Sequence, residues 1–284
     1  MHNKYYTLIT GASEGLGKAL AIECAQRKMN LVLVALPGPE LNSLAGLLKR
    51  NYSIDVIAIE KDLCREQSCI ALFNEVNEMR LQVNMLINNA GTGSTLLFDE
   101  GNIKMYERQI RLNVLATTLL SHLFIKMLKR NPDSYILNVG SMASFFYLPK
   151  KAVYGATKSF VYFFSKTLRK EVKRHNIHVS VLCPGALNTN LPLILMYKTV
   201  NYLSRLSVMD PEKTAPIAIN GLLNKKEVII PGKLNQCFML LNKILPGFIK
   251  RMLTGSSMQK MDHNNHFNNY LPKPAAIRTS VRAA

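Results

Sequence analysis

The sequence lacks the features of a secreted, membrane-spanning or disordered protein. No run of 18 or more uninterrupted apolar residues occurs, and a bilayer-crossing helix needs about that length. The first ten residues, MHNKYYTLIT, contain no apolar signal-peptide core. Charged residues make up 19% of the chain and hydrophobic residues 48%, a balance typical of folded globular proteins. We therefore expect a folded cytoplasmic protein.

Cysteines are few and form no recognisable framework. The chain has five, and no Cys-x-x-Cys pair occurs among them: Cys24, Cys64, Cys69, Cys183 and Cys237. An odd number scattered among apolar neighbours indicates reduced thiols that fill the core. No histidine or acidic cluster near Cys64 and Cys69 completes a metal site, so we predict no bound metal.

Acidic residues are scarce. The 36 Lys and Arg residues outnumber the 18 Asp and Glu residues, which gives a net charge of +18. This charge suits anionic partners such as nucleotides, acidic lipids or acyl thioesters, or it serves solubility alone. The sequence contains no nucleic-acid-binding motif, so we expect no nucleic-acid partner.

Apolar strand-like runs alternate with amphipathic helix-like runs over most of the chain. This alternation predicts a parallel sheet covered by helices on both faces, the doubly wound Rossmann-type fold with three α/β/α layers. The predicted strands are 5–10, 31–35, 54–60, 83–88, 134–140 and 177–183, and the predicted helices are 15–28, 40–50, 65–79, 103–130 and 152–174.

The last third of the chain differs in pattern, and it divides the predicted domains. Residues 1–190 are expected to form the core, 191–254 a lid and C-terminal helical extension, and 255–284 a weakly ordered tail. The apolar residues in 191–208 favour a lid over a lipophilic substrate, or packing on the core or on a partner subunit. Residues 236–253 are apolar and basic, and contact with a membrane surface stays open as their role.

A glycine-rich turn, TGASEGLG, covers residues 10–17 between the first strand and the first helix. Gly11, Gly15 and Gly17 allow a tight turn and a close approach of a diphosphate to the helix N-terminus. The alternative is a tight turn without a ligand. The motif therefore predicts a dinucleotide site at the start of the first helix.

The residues after the second strand leave the choice of cofactor open. An NAD site places an acid there to bind the ribose 2′-hydroxyl, whereas this strand ends in Leu36-Pro37-Gly38. No Arg or Lys stands there either. The missing acid favours NADP(H) slightly over NAD(H), while the acidic Glu14 in the glycine turn favours the reverse.

A serine, a tyrosine and a lysine follow in the stretch SMASFFYLPKKAVYGATK. Tyr154 and Lys158 are four residues apart and share one helix face. A phenol with a pKa near ~10 is a poor acid–base at neutral pH, and a nearby ammonium lowers that pKa. Ser141 ends the preceding strand and can hydrogen-bond a substrate oxygen. Together the three residues predict a proton-transfer site.

These pieces resemble the short-chain dehydrogenase/reductase family. The matching motifs stand in family order and cover roughly residues 4–190: TGASEGLG (10–17), Asp62-Leu63, NNAG (88–91), Asn113, Ser141, YGATK (154–158) and PGALNT (184–189). Residues 210–235 more loosely resemble reductases grouped with hydroxysteroid dehydrogenases and long-chain 3-ketoacyl reductases.

The resemblance implies catalytic roles for four residues. Tyr154 would donate the proton during reduction, and Lys158 would lower its pKa and bind the nicotinamide ribose. Ser141 would hold the substrate carbonyl, and Asn113 would support a water that links Lys158 to solvent.

The resemblance also implies a cofactor site and an assembly. The helices predicted over residues 103–130 and 152–174 of this chain would form the interface of a homodimer or homotetramer. The residues implied to contact the cofactor are Thr10, Gly11, Ser13, Gly15, Leu16, Gly17, Asp62, Leu63, Asn88, Ala90, Gly91, Tyr154, Lys158, Pro184, Gly185 and Thr189.

From these observations we expect an NAD(P)-dependent oxidoreductase that interconverts a ketone and a secondary alcohol. Reduction of a lipophilic carbonyl, such as a 3-oxoacyl or steroid-like ketone, is the predicted direction. The alternative is a regulatory or scaffold protein that binds a dinucleotide without chemistry. The complete Asn113, Ser141, Tyr154 and Lys158 set favours the enzyme.

Overall fold

A computed structural model describes residues 5–188 and 208–244, with side chains of the last helix through Leu241. The strands are β1 (Tyr5–Thr10), β2 (Asn30–Ala35), β3 (Val56–Glu60), β4 (Gln82–Asn88), β5 (Ser134–Val139), β6 (Ile177–Leu182) and β7 (Val228–Ile229). The α-helices are α1 (Gly15–Gln26), α2 (Pro39–Tyr52), α3 (Glu66–Glu78), α4 (Ile103–Ile110), α5 (Thr117–Leu128), α6 (Ala152–Val172), α7 (Pro211–Leu223) and α8 (Lys233–Ile244).

All seven strands form one parallel sheet in the order β3-β2-β1-β4-β5-β6-β7. The winding direction reverses between β1 and β4. Ligands of such sheets bind at the carboxyl ends of the strands beside this reversal. The structure confirms the predicted doubly wound fold.

The central strands are buried on both faces because their side chains alternate between two helical layers. Leu8 and Val32 pack in the core that contains Phe124 of α5, whereas Ile9 and Leu33 pack in the opposite core. All four strand residues and Phe124 are fully buried. Each large apolar side chain so buried contributes about 1.5–3 kcal/mol to the free energy of unfolding.

The predicted helix 103–130 contains a feature that its sequence pattern did not indicate. Residues Arg111–Ala116 form a π-helical turn between α4 and α5. Such turns are frequent at functional sites because they re-aim side chains and free backbone carbonyls. Here the turn carries Asn113, which is buried.

Part of the predicted C-terminal extension completes the sheet. Helix α7 packs against α1, where Arg27 Nη2 donates to Asn220 Oδ1 at 2.8 Å, and β7 pairs with β6. The chain divides into one unit of Met1–Ile244 and another of Leu245–Ala284. The second unit and residues 189–207 lie outside the described residues, so the predicted lid and tail boundaries stay predictions. Among the helices of the described ranges, none has the length and hydropathy that a bilayer crossing requires.

Candidate active site

The glycine turn brings backbone segments into direct contact. Gly11 and Gly15 have φ angles of +65° and +51°, a region that favours glycine. A Cβ atom on Gly17 would lie 1.9 Å from the Gly11 carbonyl oxygen, and one on Gly11 would lie 2.9 Å from Ala90 Cα. Larger residues therefore do not fit at Gly11 or Gly17, and the turn keeps its backbone open to a ligand.

The N-terminus of α1 remains open to an anion. Its N-cap residue, Glu14, makes no side-chain capping hydrogen bond and is exposed, while Ser13 beside it is partly buried. The first turn of a helix has free N–H groups and a positive dipole end, which together attract phosphate. Leu16 is buried beneath this turn.

The loops after β1 and β4 are bonded side by side. Thr10 Oγ1 accepts hydrogen bonds from the N–H groups of Asn89 and Ala90, both at 3.0 Å. Asn89 Nδ2 donates to the carbonyls of Thr10 at 2.9 Å and Gly11 at 3.1 Å. Sequence analysis did not single out Asn89, although it is the second asparagine of the quoted NNAG motif.

Asn88, which is expected to line the cofactor, has its side chain in the protein interior. Its Nδ2 donates to Asn138 Oδ1 at 2.8 Å and to Ser121 Oγ at 3.1 Å. Asn138 Nδ2 donates in turn to Ser165 Oγ at 2.9 Å. This polar chain connects α5, β4, β5 and α6 and holds the Asn88 side chain in the core, where its Oδ1 is buried without a hydrogen-bond partner.

The predicted adenine contacts lie at the end of β3. Asp62 Oδ1 accepts the N–H of Cys64 at 3.1 Å, and Leu63 is buried. The N–H of Lys61 donates to the carbonyl of Ala35 at 2.8 Å. These bonds bring the end of β3 beside the end of β2.

A carboxylate does stand near the end of β2, although Leu36 itself is apolar and exposed. Glu40 Oε2 lies 2.8 Å from the position that a Cβ atom on Gly38 would occupy. The side chain therefore folds back over the N-terminus of α2, where the helix dipole favours a negative charge.

Asn113 connects the loop after β4 to α6. Its Oδ1 accepts the N–H of Thr92 at 2.9 Å, and its Nδ2 donates to the Thr92 carbonyl at 2.9 Å and to Thr157 Oγ1 at 3.0 Å. A Cβ atom on Gly91 would lie 3.0 Å from Asn113 Oδ1 and 3.3 Å from Lys158 Nζ. The structure thus brings Gly91, Asn113 and Lys158 to one place.

Ser141 follows β5 and begins a short 3-10 turn. Its Oγ accepts the N–H of Ala143 at 3.1 Å, which leaves its own proton free to be donated. The N–H of Met142 donates to the carbonyl of Pro184 at 2.8 Å, which holds the Pro184-Gly185 turn beside the serine. Thr189 lies outside the described residues.

The ring of Tyr154 packs against backbone: a Cβ atom on Gly93 would lie 2.8 Å from its Cδ2. Lys158 Nζ lies 6.0 Å from the ring centroid. The resemblance implies that Lys158 lowers the pKa of Tyr154, and this role of the lysine stays a prediction. Burial raises the pKa of the phenol, and a hydrogen bond with Ser141 only partly opposes that effect.

Lys158 is buried, and its Nζ donates to the carbonyl of Val139 at 2.7 Å. Burial lowers its pKa to about 8, because desolvation disfavours the ammonium form. A lysine ammonium carries three donors, so further hydrogen bonds remain available to a ligand.

Sequence analysis treated Cys183 only as a residue that fills the core. Its thiol, however, lies near Ser141, Tyr154 and Lys158. A Cβ atom on Gly140 would lie 3.3 Å from its Sγ. Burial raises the pKa of the Cys183 thiol to about 12, while a hydrogen bond from the Ser141 backbone and the charge of Lys158 oppose this. The group remains a neutral thiol. Its position directly before the Pro184-Gly185 turn is the sequence feature that could have identified it as a residue of the site.

Comparison with known proteins agrees with this geometry. The sequence model of the short chain dehydrogenase family matches residues 6–193. Human 17-beta-hydroxysteroid dehydrogenase type 3 is 29% identical over 248 residues, which cover 86% of this chain and 74% of the human protein.

Two solved structures are also similar. The short-chain dehydrogenase from Sphingobium yanoikuyae in complex with NADPH has a TM-score of 0.73 and 28% identity, over 96% of this chain and 98% of that chain. The bulky-bulky ketone specific alcohol dehydrogenase from Comamonas testosteroni has a TM-score of 0.72 and 27% identity, over 96% and 100%.

The chain belongs to the short-chain dehydrogenase/reductase family, because the family match covers well over half of it. It is an NAD(P)-dependent oxidoreductase that interconverts ketones and secondary alcohols. The alternative of a scaffold without chemistry gains no support.

A Lys158→Met substitution tests the buried charge. Burial lowers the pKa of Lys158 from 10.5 to about 8, so between these pH values the unfolded chain binds a proton that the folded protein has lost. The free energy of unfolding of the wild type should therefore rise relative to the variant by up to about 3 kcal/mol from pH 7 to pH 10. Urea titrations across this range measure the difference. Parallel pH curves for the two proteins would show that the ammonium is not desolvated.

Proposed function

We propose that the protein reduces a lipophilic ketone and that Tyr154 donates the proton. The observation that carries this proposal is the position of the Tyr154 phenol, which is hydrogen-bonded with Ser141 and faces the buried ammonium of Lys158. Burial raises the pKa of the phenol, so the phenol carries its proton at neutral pH, and the charge of Lys158 has to stabilise the phenolate for that proton to be donated.

The residues present fit a nicotinamide dinucleotide. The glycine turn leaves no room for side chains at Gly11 and Gly17, and the helix N-terminus behind it has no side-chain cap. Lys158 would hydrogen-bond the nicotinamide ribose, and Asp62 with Leu63 would contact the adenine. When bound, the dinucleotide supplies or accepts the hydride, while this chain orients the reactants and moves the proton.

Proton supply to Tyr154 would run past Lys158. The side-chain amide of Asn113 is engaged by Thr92 and Thr157. The backbone carbonyl of Asn113, in the wider π-helical turn, is then the group left to hold a water between Lys158 and solvent. The charge of Lys158 stabilises negative charge on the phenol as its proton leaves.

Apolar side chains near Ser141 support a lipophilic substrate. Phe145 and Phe146 are partly buried, and Tyr147 and Leu148 are exposed. The human relative is named for a hydroxysteroid and the Comamonas relative for bulky ketones.

A Tyr154→Phe variant tests the proton donor. Loss of the hydroxyl should lower kcat by at least about 100-fold, while the dissociation constant for the cofactor changes little, because the ring still packs on Gly93. Steady-state assays on a ketone panel and nicotinamide fluorescence titrations measure the two effects. A Tyr162→Phe variant on the same helix is the control. Normal turnover by the Tyr154 variant would refute the mechanism.

We propose NADP(H) as the preferred cofactor, because the exposed end of β2 offers Leu36 rather than an acid. The Sphingobium relative binds NADPH, which agrees. The carboxylate of Glu40, folded over Gly38, is the feature that works against this preference.

Titrations with NADPH and NADH test the cofactor choice. Wild type should bind NADPH more tightly, and Leu36→Asp should shift the ratio of dissociation constants toward NADH by about tenfold or more through repulsion of the 2′-phosphate. A Glu40→Gln variant should strengthen NADPH binding. A ratio unchanged by Leu36→Asp would place the determinant elsewhere.

We also propose that the protein is a homodimer or homotetramer. A groove of about 750 Å³ runs between α4, the π-helical turn and α6, and its lining includes Ile103, Ile110 and Phe160. All three side chains are exposed. Such a contiguous apolar surface is typical of a contact between protein chains.

An Ile110→Glu variant tests this interface, because a charge in the apolar groove would have to be desolvated on association. Light scattering after size-exclusion chromatography should give a multiple of the 31.9 kDa chain mass for wild type and a smaller particle for the variant. Ile70→Glu, at an exposed position of α3, is the matched control. A monomeric wild type would refute the proposal.

We propose a cytoplasmic protein, because all five cysteines are free thiols. We also propose contact with a membrane surface for the basic segment 236–253. Within its described part, Leu240 and Leu241 of α8 are exposed, and its remainder lies outside the described residues.

A further inference from the structure

A second ammonium group, that of Lys151, lies against Tyr154. Its Nζ is 5.3 Å from the ring centroid, closer than the 6.0 Å of Lys158. Lys151 directly precedes α6, and its backbone is fixed on both sides. Its N–H donates to the carbonyl of Leu148 at 3.2 Å, and its carbonyl accepts the N–H of Gly155 at 2.7 Å.

The side chain of Lys151 is oriented by the loop after β4. Its Nζ donates to Thr95 Oγ1 at 2.7 Å. This loop is held in turn by Gln109 Nε2, which donates to Ser94 Oγ at 2.8 Å. The N–H of Leu96 donates to the carbonyl of Lys150 at 3.0 Å. The ammonium is therefore positioned before any substrate binds.

Among the described residues, no carboxylate neutralises Lys151. None of the ion pairs in the described ranges involves it, and burial lowers its pKa. Thr95 takes one of its three donors. A partly desolvated cation with spare donors gains from an anionic ligand, because the ligand replaces the hydration that burial removed.

We propose that Lys151 binds a carboxylate that the substrate carries within a few bonds of its reacting carbonyl, so that the enzyme prefers an oxo acid to the matching neutral ketone. This proposal rests on the reduction at Tyr154 proposed above. The ketone must reach the Tyr154 hydroxyl, and the ammonium lies against the same ring. The carboxylate can therefore meet Lys151 while the ketone meets the proton donor.

A different role for Lys151 has a different signature. If its charge acted only on the phenol, as a cation near an aromatic ring, its removal would slow the reduction of every ketone in the same proportion. A role in binding the substrate changes the ratio between charged and neutral substrates instead. The ratio is therefore the quantity to measure.

The test compares 3-oxodecanoate and 4-oxodecanoate with their methyl esters, using whichever of NADPH and NADH binds. Wild type should favour at least one acid over its ester by about tenfold or more in kcat/KM, mainly through KM. Lys151→Met should bring this ratio close to one, and Lys151→Arg should keep most of it. Lys166→Met is the matched control, because Lys166 Nζ lies 5.4 Å from the Tyr162 ring centroid on the same helix.

Calorimetry on the Tyr154→Phe protein separates the two proposals. With cofactor bound, this protein should bind the acid about tenfold more tightly than the ester, and an added Lys151→Met change should abolish the difference. If this holds but wild type turns over neither compound, the proposed reduction fails and the anion site stands. Equal or undetectable binding of acid and ester overturns the anion site, as does an acid preference that survives Lys151→Met.

Discussion

The buried ammonium of Lys158 is the constraint on which the site depends. Its Nζ donates to the carbonyl of Val139 at the end of β5. This hydrogen bond fixes the position of α6 along the strand direction of the sheet. A side chain at Gly91 would press on the Asn113 amide and on the ammonium, because a Cβ atom there would lie 3.0 Å from Asn113 Oδ1 and 3.3 Å from Lys158 Nζ. Desolvating a charge costs free energy, and the surrounding sheet and helices supply the stability that keeps it there.

Much of this arrangement could be predicted from sequence. The alternation of strands and helices, the glycine turn and the Ser141, Tyr154 and Lys158 spacing all depend on local patterns, and the structure places them as a doubly wound sheet requires. The π-helical turn could not be predicted, because its residues have ordinary helical periodicity. The fold of Glu40 over Gly38 depends on side-chain rotamers, and the raised pKa of Tyr154 depends on burial by distant segments.

Burial shifts the pKa values of the basic and the acidic groups in the site in opposite directions. Lys158 and Lys151 both have pKa values lowered by burial, whereas the pKa values of Tyr154 and Cys183 are raised. In each case burial disfavours the charged form. At neutral pH Lys158, with a pKa of about 8, still carries its charge, while Tyr154 and Cys183 stay neutral.

The polar chain through Asn88 and Asn138 has a consequence for how selectivity can arise. It ties α5 and α6 to the two strands between them through side-chain amides and hydroxyls inside the core. Any tilt of α6 would break buried hydrogen bonds, each of which is costly to leave unmade. Helix α6 therefore holds Tyr154 and Lys158 in fixed positions. Discrimination between substrates of different shape is therefore expected from the side chains of the surrounding loops rather than from movement of α6.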